Sequence, residues 1–284
     1  MDILVTPQIE RLIRDSLDED IGPGDLATMA TIAADAQGKG LFRAKKDGVV
    51  AGLVLLDRIF YFIDPKVNVN LLRKDGDAVK SGDVVAEALG PVRALLLAER
   101  TALNFLQRLS GTATLTRKYV DAVKGFPCKV LDTRKTTPGL RTLEKYAVRM
   151  GGGMNHRIGL YDAALVKDNH IEATGSIAEA VRAVRRHAPF MAKVEVEAGN
   201  FQQVQEAIDA GADVIMLDNM TIGQMAEAVR MVNKRAWVEA SGGITLDTIR
   251  QVAETGVDFI SSGALTHSAP VVDFNMKITL NAIA

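Results

Sequence analysis

The sequence predicts an α/β protein: an N-terminal α/β sandwich domain followed by an incomplete, six-stranded α/β barrel of the TIM-like kind. The hydrophobic pattern changes near Gly111, where short β-rich segments give way to alternating strands and helices. The alternation supplies six units, whereas a complete TIM barrel has eight. The predicted domains are residues 1–110 and 111–270, and residues 271–284 form a C-terminal segment that returns towards the N-terminal domain.

The composition excludes several classes of protein. With 284 residues, 48% of them hydrophobic and 24% charged, the chain can bury a large core, which excludes a disordered protein. The formal charge of −1, with the basic residues gathered in one segment, argues against a nucleic-acid surface. Charged residues interrupt the first twenty positions and no apolar run is long enough to span a membrane, so we expect a soluble, cytoplasmic protein. Cys128, the single cysteine, is expected to be a buried thiol rather than a nucleophile.

The N-terminal elements follow from periodicity and turn signals. Residues 8–17 have the spacing of a short amphipathic helix, and β-rich segments follow at 40–50 and 67–72. Asp-Gly pairs punctuate these segments and mark turns. Over residues 92–109 apolar side chains recur at helical spacing, which predicts a helix that leads towards the second domain.

The C-terminal strands are six short apolar runs. They are predicted at 129–132, 163–167, 193–197, 213–217, 237–240 and 258–261. Amphipathic stretches separate several of them, which is typical of parallel strands joined by helices. A closed or nearly closed barrel brings all six carboxyl ends to one face, where barrel enzymes carry their chemistry. An open doubly wound sheet is the alternative.

Polar residues follow each predicted strand, and burying them is costly unless a site uses them. In chain order they are Arg134 and Lys135, Lys167, Glu197, Asp218, Ser241-Gly242-Gly243, and Ser262-Gly263. Either glycine turn alone is more often a tight turn, but together, after the last two strands, they favour a phosphate site because glycine lets backbone N–H groups approach an anion. The pattern therefore indicates a phosphate ester as ligand.

Positive charge is concentrated between Lys129 and His170, with eight Lys or Arg against four Asp or Glu. Gly151–Gly153 could merely end a helix, yet Asn155, His156 and Arg157 follow at once and form a dense set of hydrogen-bond donors. Lys145 and Arg149 have the spacing of a solvated helix face beside Glu144, so we do not expect Lys145 to take part in the chemistry.

The two carboxylates have two interpretations. Glu197 and Asp218 could cap the helices that follow, but their equivalent positions at strand ends favour hydroxyl or Mg²⁺ binding. Strand alternation places Glu195 on the same face as Glu197, and Glu197 is chosen because it lies nearer the carboxyl end. Of two histidines, His187 is expected to be solvated, whereas His267 follows a glycine turn and is a weak phosphate candidate.

Three segments carry a resemblance to a known family: DTRKTTPGLR at 132–141, EKYAVRMGGGMNHRIGLYD at 144–162 and KDNHI at 167–171. They resemble the signature of the quinolinate phosphoribosyltransferases. The likeness continues through EDIGPGDLAT near the start, AERTALNFLQRLSGTAT, VEVEA, MLDN, EASGGI and ISSGAL. The resemblance implies a six-stranded barrel, a homodimer or higher oligomer, and a role in NAD biosynthesis. It also implies Mg²⁺ and the reaction of quinolinate with phosphoribosyl pyrophosphate, giving nicotinate mononucleotide, pyrophosphate and carbon dioxide.

The resemblance also implies roles for individual residues. Arg134, His156 and Arg157 hold the quinolinate carboxylates, which planar guanidinium groups can grip through paired hydrogen bonds. Lys135 and Lys167 complete the positive charge. Glu197 and Asp218 hold the ribose hydroxyls and Mg²⁺, so that Lys135, Glu197 and Asp218 form the expected catalytic set. Arg100 enters the neighbouring subunit's site. The remaining expected substrate contacts are Thr133, Ser241, Gly242, Gly243, Ser262, Gly263, Ala264, Leu265 and His267.

Three alternatives stay open at this point. The first is a paralogue of the same fold linked to molybdenum transport, against which the intact TRK, NHR and KDNH segments argue. The second is a nicotinate phosphoribosyltransferase, which needs no decarboxylation and fewer cations. The third is a non-catalytic sensor of phosphorylated metabolites, and a quinolinate assay separates all three from the main interpretation.

Overall fold

A computed structural model gives the structure of the protein and describes residues 6–280. The helices are α1 Pro7–Ile21, α2 Leu26–Thr31, α3 Leu56–Ile63, α4 Val92–Ala122, α5 Arg141–Met150, α6 Asp168–Thr174, α7 Ile177–His187, α8 Phe201–Asp209, α9 Ile222–Val232, α10 Ile249–Glu254 and α11 Ala264–His267. The strands are β1 Gln37–Ala44, β2 Gly48–Val49, β3 Asn68–Leu71, β4 Ala78–Val79, β5 Val84–Pro91, β6 Lys129–Leu131, β7 Ala164–Val166, β8 Val194–Ala198, β9 Val214–Asp218, β10 Trp237–Ser241, β11 Phe259–Ser261 and β12 Phe274–Leu280. No helix within this described part is both long and apolar enough to span a membrane.

The chain divides into two compact units. Within the described residues, the first unit comprises 6–115, 149–152 and 269–280, and the second comprises 116–148 and 153–268. The first unit is built on a four-stranded antiparallel sheet of order β12-β1-β5-β3. Its edge strand β12 comes from the C-terminal segment and pairs with β1 from Gly38↔Leu280 to Ala44↔Phe274. Helix α1 begins with Thr6 as N-cap and buries Ile9, Ile13 and Leu17, one apolar face of the predicted amphipathic helix.

Two element boundaries differ from the prediction. The segment predicted as one β-rich stretch at 40–50 is two strands, β1 and β2, because the chain bends over residues 45–47, just before Gly48. Helix α4 continues to Ala122, past the end predicted at residue 109. Gly111 lies inside this helix, where a Cβ atom would come within 2.3 Å of the Pro270 carbonyl oxygen. The glycine therefore permits close backbone packing and does not mark the end of the helix.

The second unit is built on six parallel strands in the order β6-β11-β10-β9-β8-β7. The first strand in the chain lies beside the last, and the other five are neighbours in sequence order, which is the order of a barrel and not of a doubly wound sheet. In the described part of the chain no ladder joins β6 to β7, and Met154 instead forms a single parallel bridge to Leu131. The predicted class, a sandwich domain with an incomplete six-stranded barrel, is confirmed.

Candidate active site

A cavity of about 690 Å³ opens in the second unit at the carboxyl ends of the barrel strands. Residues from all six strand ends contribute to its wall. The predicted residues that line it are Thr133, Arg134, Lys135, His156, Arg157, Lys167, Glu197, Asp218, Ser241, Gly242, Gly243, Ser262, Gly263, Ala264 and His267. Two predicted residues do not: Arg100 lies on α4 in the first unit, and Leu265 is fully buried, so its side chain packs inside the protein.

The loop after β6 carries the first two cations of the cavity, Arg134 and Lys135. Its backbone is held on both sides: the Lys135 N–H donates to Thr133 Oγ1 at 3.0 Å, and the Lys135 carbonyl accepts from Thr266 Oγ1 at 2.7 Å. The carboxylate of Glu144, which is fully buried, accepts from the backbone N–H and the hydroxyl of Thr137 at 3.0 and 2.8 Å. These bonds fix the loop that presents the two cations.

The prediction that Lys145 lies on a solvated helix face is wrong. Lys145 is 3% exposed, and its ammonium group lies 2.5 Å from Asp132 Oδ1. Burial lowers the pKa of Lys145 and raises the pKa of Asp132, while their mutual attraction opposes both shifts. The helical spacing of Lys145 and Arg149 is ambiguous because it does not show whether that helix face meets solvent or a carboxylate of another element. Asp132, at the end of β6, decides between them.

His156 lines the cavity and is held by two buried carboxylates. Its Nε2 lies 2.9 Å from Glu195 Oε2 and 3.5 Å from Glu239 Oε2. Burial alone would lower the pKa of His156, but hydrogen bonds to the two carboxylates outweigh it and raise the pKa to about 10. The Arg157 backbone N–H, 2.8 Å from Nδ1, opposes this shift because it favours an unprotonated Nδ1. The two carboxylate contacts outweigh this one amide, so the pKa of His156 is raised.

The ligand atoms of His156, Glu195 and Glu239 lie within 4.8 Å of one another, close enough to surround a cation. The hydrogen bonds argue against a metal there. Because the Arg157 N–H donates to Nδ1, the neutral ring carries its hydrogen on Nε2, and the protonated ring carries hydrogens on both nitrogens. In neither form does Nε2 offer a lone pair to a metal ion. In both forms Nε2 faces the two carboxylates as a hydrogen-bond donor.

The cations around the cavity are close enough to influence one another. The pKa of Arg157 is lowered by burial and then by the neighbouring charge of Arg134. The Arg157 guanidinium also donates to the Ala163 carbonyl at 3.1 Å, which fixes its orientation. Guanidinium groups held side by side attract a ligand with more than one negative charge.

The two predicted carboxylates end neighbouring strands. Glu197 on β8 forms an ion pair with Lys167, with Oε2 and Nζ 3.0 Å apart, and Asp218 ends β9. Asp218 Oδ2 accepts from the side-chain amide of Asn219 at 2.8 Å. Asn219 has a backbone φ of 54°, a left-handed conformation that asparagine adopts more readily than most non-glycine residues. Of the two glutamates on β8, Glu197 lines the cavity and Glu195 lies beneath it, 6% exposed.

The remaining predictions on single residues agree with the structure. Cys128 is buried, and burial raises the pKa of its thiol, which disfavours the nucleophilic thiolate. His187 is exposed at the end of α7, and His267 lines the cavity. Glu239 and Asn219 were not predicted, although a glutamate inside the apolar strand WVEAS was a signal, because buried charges are rare without a partner. The other unpredicted lining residues are Leu165, Met216, Ile244, Thr245 and Ser261.

Two family models match the chain and together cover most of it. The N-terminal domain of quinolinate phosphoribosyl transferase matches residues 25–110, and the C-terminal domain of the same family matches residues 112–277. The curated relatives include the probable nicotinate-nucleotide pyrophosphorylase [carboxylating] of Synechocystis sp., 47% identical over 98% of this chain and 94% of the relative. The Bacillus subtilis protein with the same description is 46% identical over 96% of this chain and 94% of its own length.

Solved structures agree with these matches. NadC from Streptococcus pyogenes is 46% identical and superposes with a TM-score of 0.94 over 99% of both chains. The nicotinate-nucleotide pyrophosphorylase from Francisella tularensis is 39% identical, with a TM-score of 0.92 over 96% of this chain and 98% of its own. Matches of this extent, on a barrel whose strand ends carry the predicted cations and carboxylates, place the chain in the quinolinate phosphoribosyl transferase family.

Proposed function

We propose that this protein transfers the phosphoribosyl group of phosphoribosyl pyrophosphate to quinolinate, with decarboxylation, in de novo NAD biosynthesis. The products are nicotinate mononucleotide, pyrophosphate and carbon dioxide, which makes the protein a pentosyltransferase. The observation that carries the proposal is the cavity wall itself. Arg134, Lys135, Arg157 and Lys167 meet there beside two carboxylates and two glycine turns. Quinolinate brings two adjacent carboxylates and phosphoribosyl pyrophosphate brings three phosphates, so both substrates need such a surplus of cations.

The cavity residues divide into three groups with distinct tasks. Arg134 and Arg157 hold the quinolinate carboxylates by paired hydrogen bonds, and His156, which lines the same cavity, adds positive charge. Lys135 and Lys167, the second group, attract the phosphates of phosphoribosyl pyrophosphate. The third group binds the rest of that substrate. The turns after β10 and β11 take the 5′-phosphate through backbone N–H groups, while Glu197 and Asp218 bind the ribose hydroxyls.

The chemistry follows from this placement. The pyridine nitrogen attacks the ribose C1 carbon, and the bond from C1 to the pyrophosphate oxygen breaks, with the developing charge spread over the cations. The ring nitrogen is then positively charged. When the adjacent carboxylate leaves as carbon dioxide, the electron pair of the broken carbon–carbon bond stays on the ring carbon, where this positive charge stabilises it. A proton replaces the carboxylate on that ring carbon. No covalent intermediate with the protein is needed, so the side chains act by position and charge.

Magnesium is the metal that the family implies, and the residues present fit it. Two carboxylates on the neighbouring strands β8 and β9 offer the hard oxygen ligands that Mg²⁺ takes in small number beside substrate phosphates. We propose Glu197 and Asp218 as the residues that hold it, either directly or through water. When bound, Mg²⁺ supplies charge neutralisation to the leaving pyrophosphate.

The oligomeric state is proposed from the family resemblance around Arg100. We propose a homodimer or higher oligomer in which Arg100, on α4, enters the site of the neighbouring subunit. The matching segment AERTALN supports this assignment, and Arg100 lies outside the cavity wall of its own chain. For localisation we propose the cytoplasm, because the proposed substrates are small charged metabolites.

The test is an endpoint assay of the purified protein with phosphoribosyl pyrophosphate, Mg²⁺ and either quinolinate or nicotinate. Nicotinate mononucleotide and carbon dioxide from quinolinate are the expected products. Product from nicotinate alone would move the protein to the non-decarboxylating class. Folded protein with no product from either substrate would revive the molybdenum-linked paralogue or the sensor, which the carboxylating relatives do not favour. Lys135→Ala is expected to lose turnover at saturating substrate, since it removes a cation from the reacting centre.

A further inference from the structure

The open side of the barrel, between β6 and β7, is occupied by the residues that precede Arg157. The Met154 N–H donates to the Val130 carbonyl at 2.8 Å, and the Asp132 N–H donates to the Met154 carbonyl at 3.2 Å. Met154 therefore runs beside β6 as a short parallel strand would. Its continuation, His156 and Arg157, reaches the level at which the other strands end and lines the cavity.

A buried ion pair holds the backbone of His156 from both ends. The His156 N–H donates to Asp132 Oδ1 at 2.9 Å, and the His156 carbonyl accepts from Lys145 Nζ at 3.0 Å. Asp132 and Lys145 are themselves 2.5 Å apart, 0% and 3% exposed. Asn155 completes the network, because its Nδ2 donates to Asp132 Oδ2 at 2.5 Å and to the Lys145 carbonyl at 2.8 Å.

The placement of this pair is not explained by ligand binding or by stability alone. Neither Asp132 nor Lys145 lines the cavity, so neither touches a ligand there. A buried ion pair often contributes less stability than apolar side chains of the same size, because both charges lose their hydration. The pair does, however, give partners to the backbone N–H and the backbone carbonyl of His156, a residue that belongs to no named strand. Its contribution is the position of the backbone at His156.

We propose that Asp132 and Lys145 are positioning residues for the dicarboxylate substrate, and that they act by fixing the backbone from which His156 and Arg157 reach the cavity. The inference rests on the proposed function, since it assigns these two cations to the quinolinate carboxylates. The Glu195 and Glu239 carboxylates hold the imidazole ring, whereas Asp132 and Lys145 hold the main chain. Loss of the main-chain contacts therefore displaces both cations together.

The experiment compares Lys145→Met and Asn155→Ala with the control Arg185→Met. Arg185 is also a helix cation paired with an aspartate, Asp213, at 3.0 Å, but that pair lies at the amino end of β9, away from the cavity. For each protein the KM for quinolinate, the KM for phosphoribosyl pyrophosphate, kcat and the melting temperature are measured. Asn155 is only half-buried, so Asn155→Ala is expected to fold, and it decides the question alone should Lys145→Met fail to fold.

The expected result is selective loss of quinolinate binding. We expect its KM to rise about tenfold to a hundredfold in Lys145→Met, the loss expected when a charge-assisted contact is misplaced, and less in Asn155→Ala. The KM for phosphoribosyl pyrophosphate should not change, and Arg185→Met should lower only the melting temperature. An unchanged quinolinate KM in Asn155→Ala and in folded Lys145→Met would overturn the inference, as would parallel weakening of both substrates. Wild-type protein without quinolinate turnover would instead overturn the proposed function.

Discussion

Gly242 is the position at which one added methyl group should disturb both the fold and the site. It follows β10 in the turn proposed to take the 5′-phosphate, with a φ of +91°. A Cβ atom built there would lie 2.3 Å from Asn219 Oδ1 and 2.9 Å from the Asn219 backbone nitrogen. The side-chain amide could rotate away, but the backbone nitrogen could not. Gly242→Ala must therefore displace Asn219, whose amide donates to Asp218.

The magnitude has two parts. An alanine in a left-handed conformation costs about 1–2 kcal/mol. The steric overlap with Asn219 adds about 1–3 kcal/mol, the usual range for an overpacked position. Gly242→Ala should thus lower the free energy of unfolding by about 2–5 kcal/mol. Activity should fall about a hundredfold, because a displacement of about 1 Å at a positioned catalytic group has that effect.

Gly211→Ala is the matched control. Gly211 precedes β9 at its amino end, has a φ of +72°, and has no atom within 4 Å of a built Cβ. The Gly211→Ala protein should lose only the conformational part of the free energy of unfolding, about 1–2 kcal/mol, and should keep full turnover. Urea unfolding gives the two free energies, and steady-state assays with quinolinate give the two activities. Equal losses of stability and activity in both variants would refute the argument that contact with Asn219 is what requires glycine.

Three further predictions concern charge. The pKa of His156 is raised from an unfolded value of 6.5 to about 10, so it contributes stability that is complete below pH 6.5 and is lost as pH rises through 10. In urea unfolding, Glu239→Gln should move that loss of stability to lower pH. Identical pH profiles for the variant and the wild type would contradict this. Chelation of Mg²⁺ should abolish turnover while calorimetric binding of quinolinate persists, and full turnover in excess chelator would exclude the proposed role of Glu197 and Asp218. Inactive Arg100→Ala protein mixed with inactive Lys135→Ala protein should regain activity in hybrid dimers, whereas none after verified subunit exchange would count against a shared site.

Much of the barrel and its cavity could be predicted because parallel strands buried on both faces are readable as short apolar runs. A side chain that follows such a run is placed at the common edge whatever the details of packing. Arg134, Lys167 and Glu197 were found in this way, and all three line the cavity. The position at the end of a strand was sufficient evidence.

The residues that were missed depend on contacts between distant segments. Lys145 has the same local pattern whether its helix face meets solvent or Asp132, thirteen residues earlier, and only the packed structure decides. Glu239 is a hydrogen-bond partner of His156 because β8 and β10 bring their glutamates, Glu195 and Glu239, to the same imidazole nitrogen. Local periodicity does not show this. Gly111 indicated a boundary by its local propensity, while its actual role is set by a carbonyl 159 residues later. In each case tertiary packing overrides a weak local preference.

The open side of the barrel has a consequence for how substrate choice can change. A strand within a hydrogen-bonded ladder tolerates few insertions without loss of that ladder. The segment that follows Met154 joins no named strand and is held by the bridge at Met154, the Asp132–Lys145 pair and local side-chain bonds, so its side chains can change more freely. The side chains of residues 154–158 can therefore be replaced together, while Asp132 and Lys145 continue to bind the backbone of residue 156. Selection for an acid of a different shape would then act on this segment of the cavity wall and leave the ends of the six barrel strands, with the phosphate contacts proposed there, unchanged.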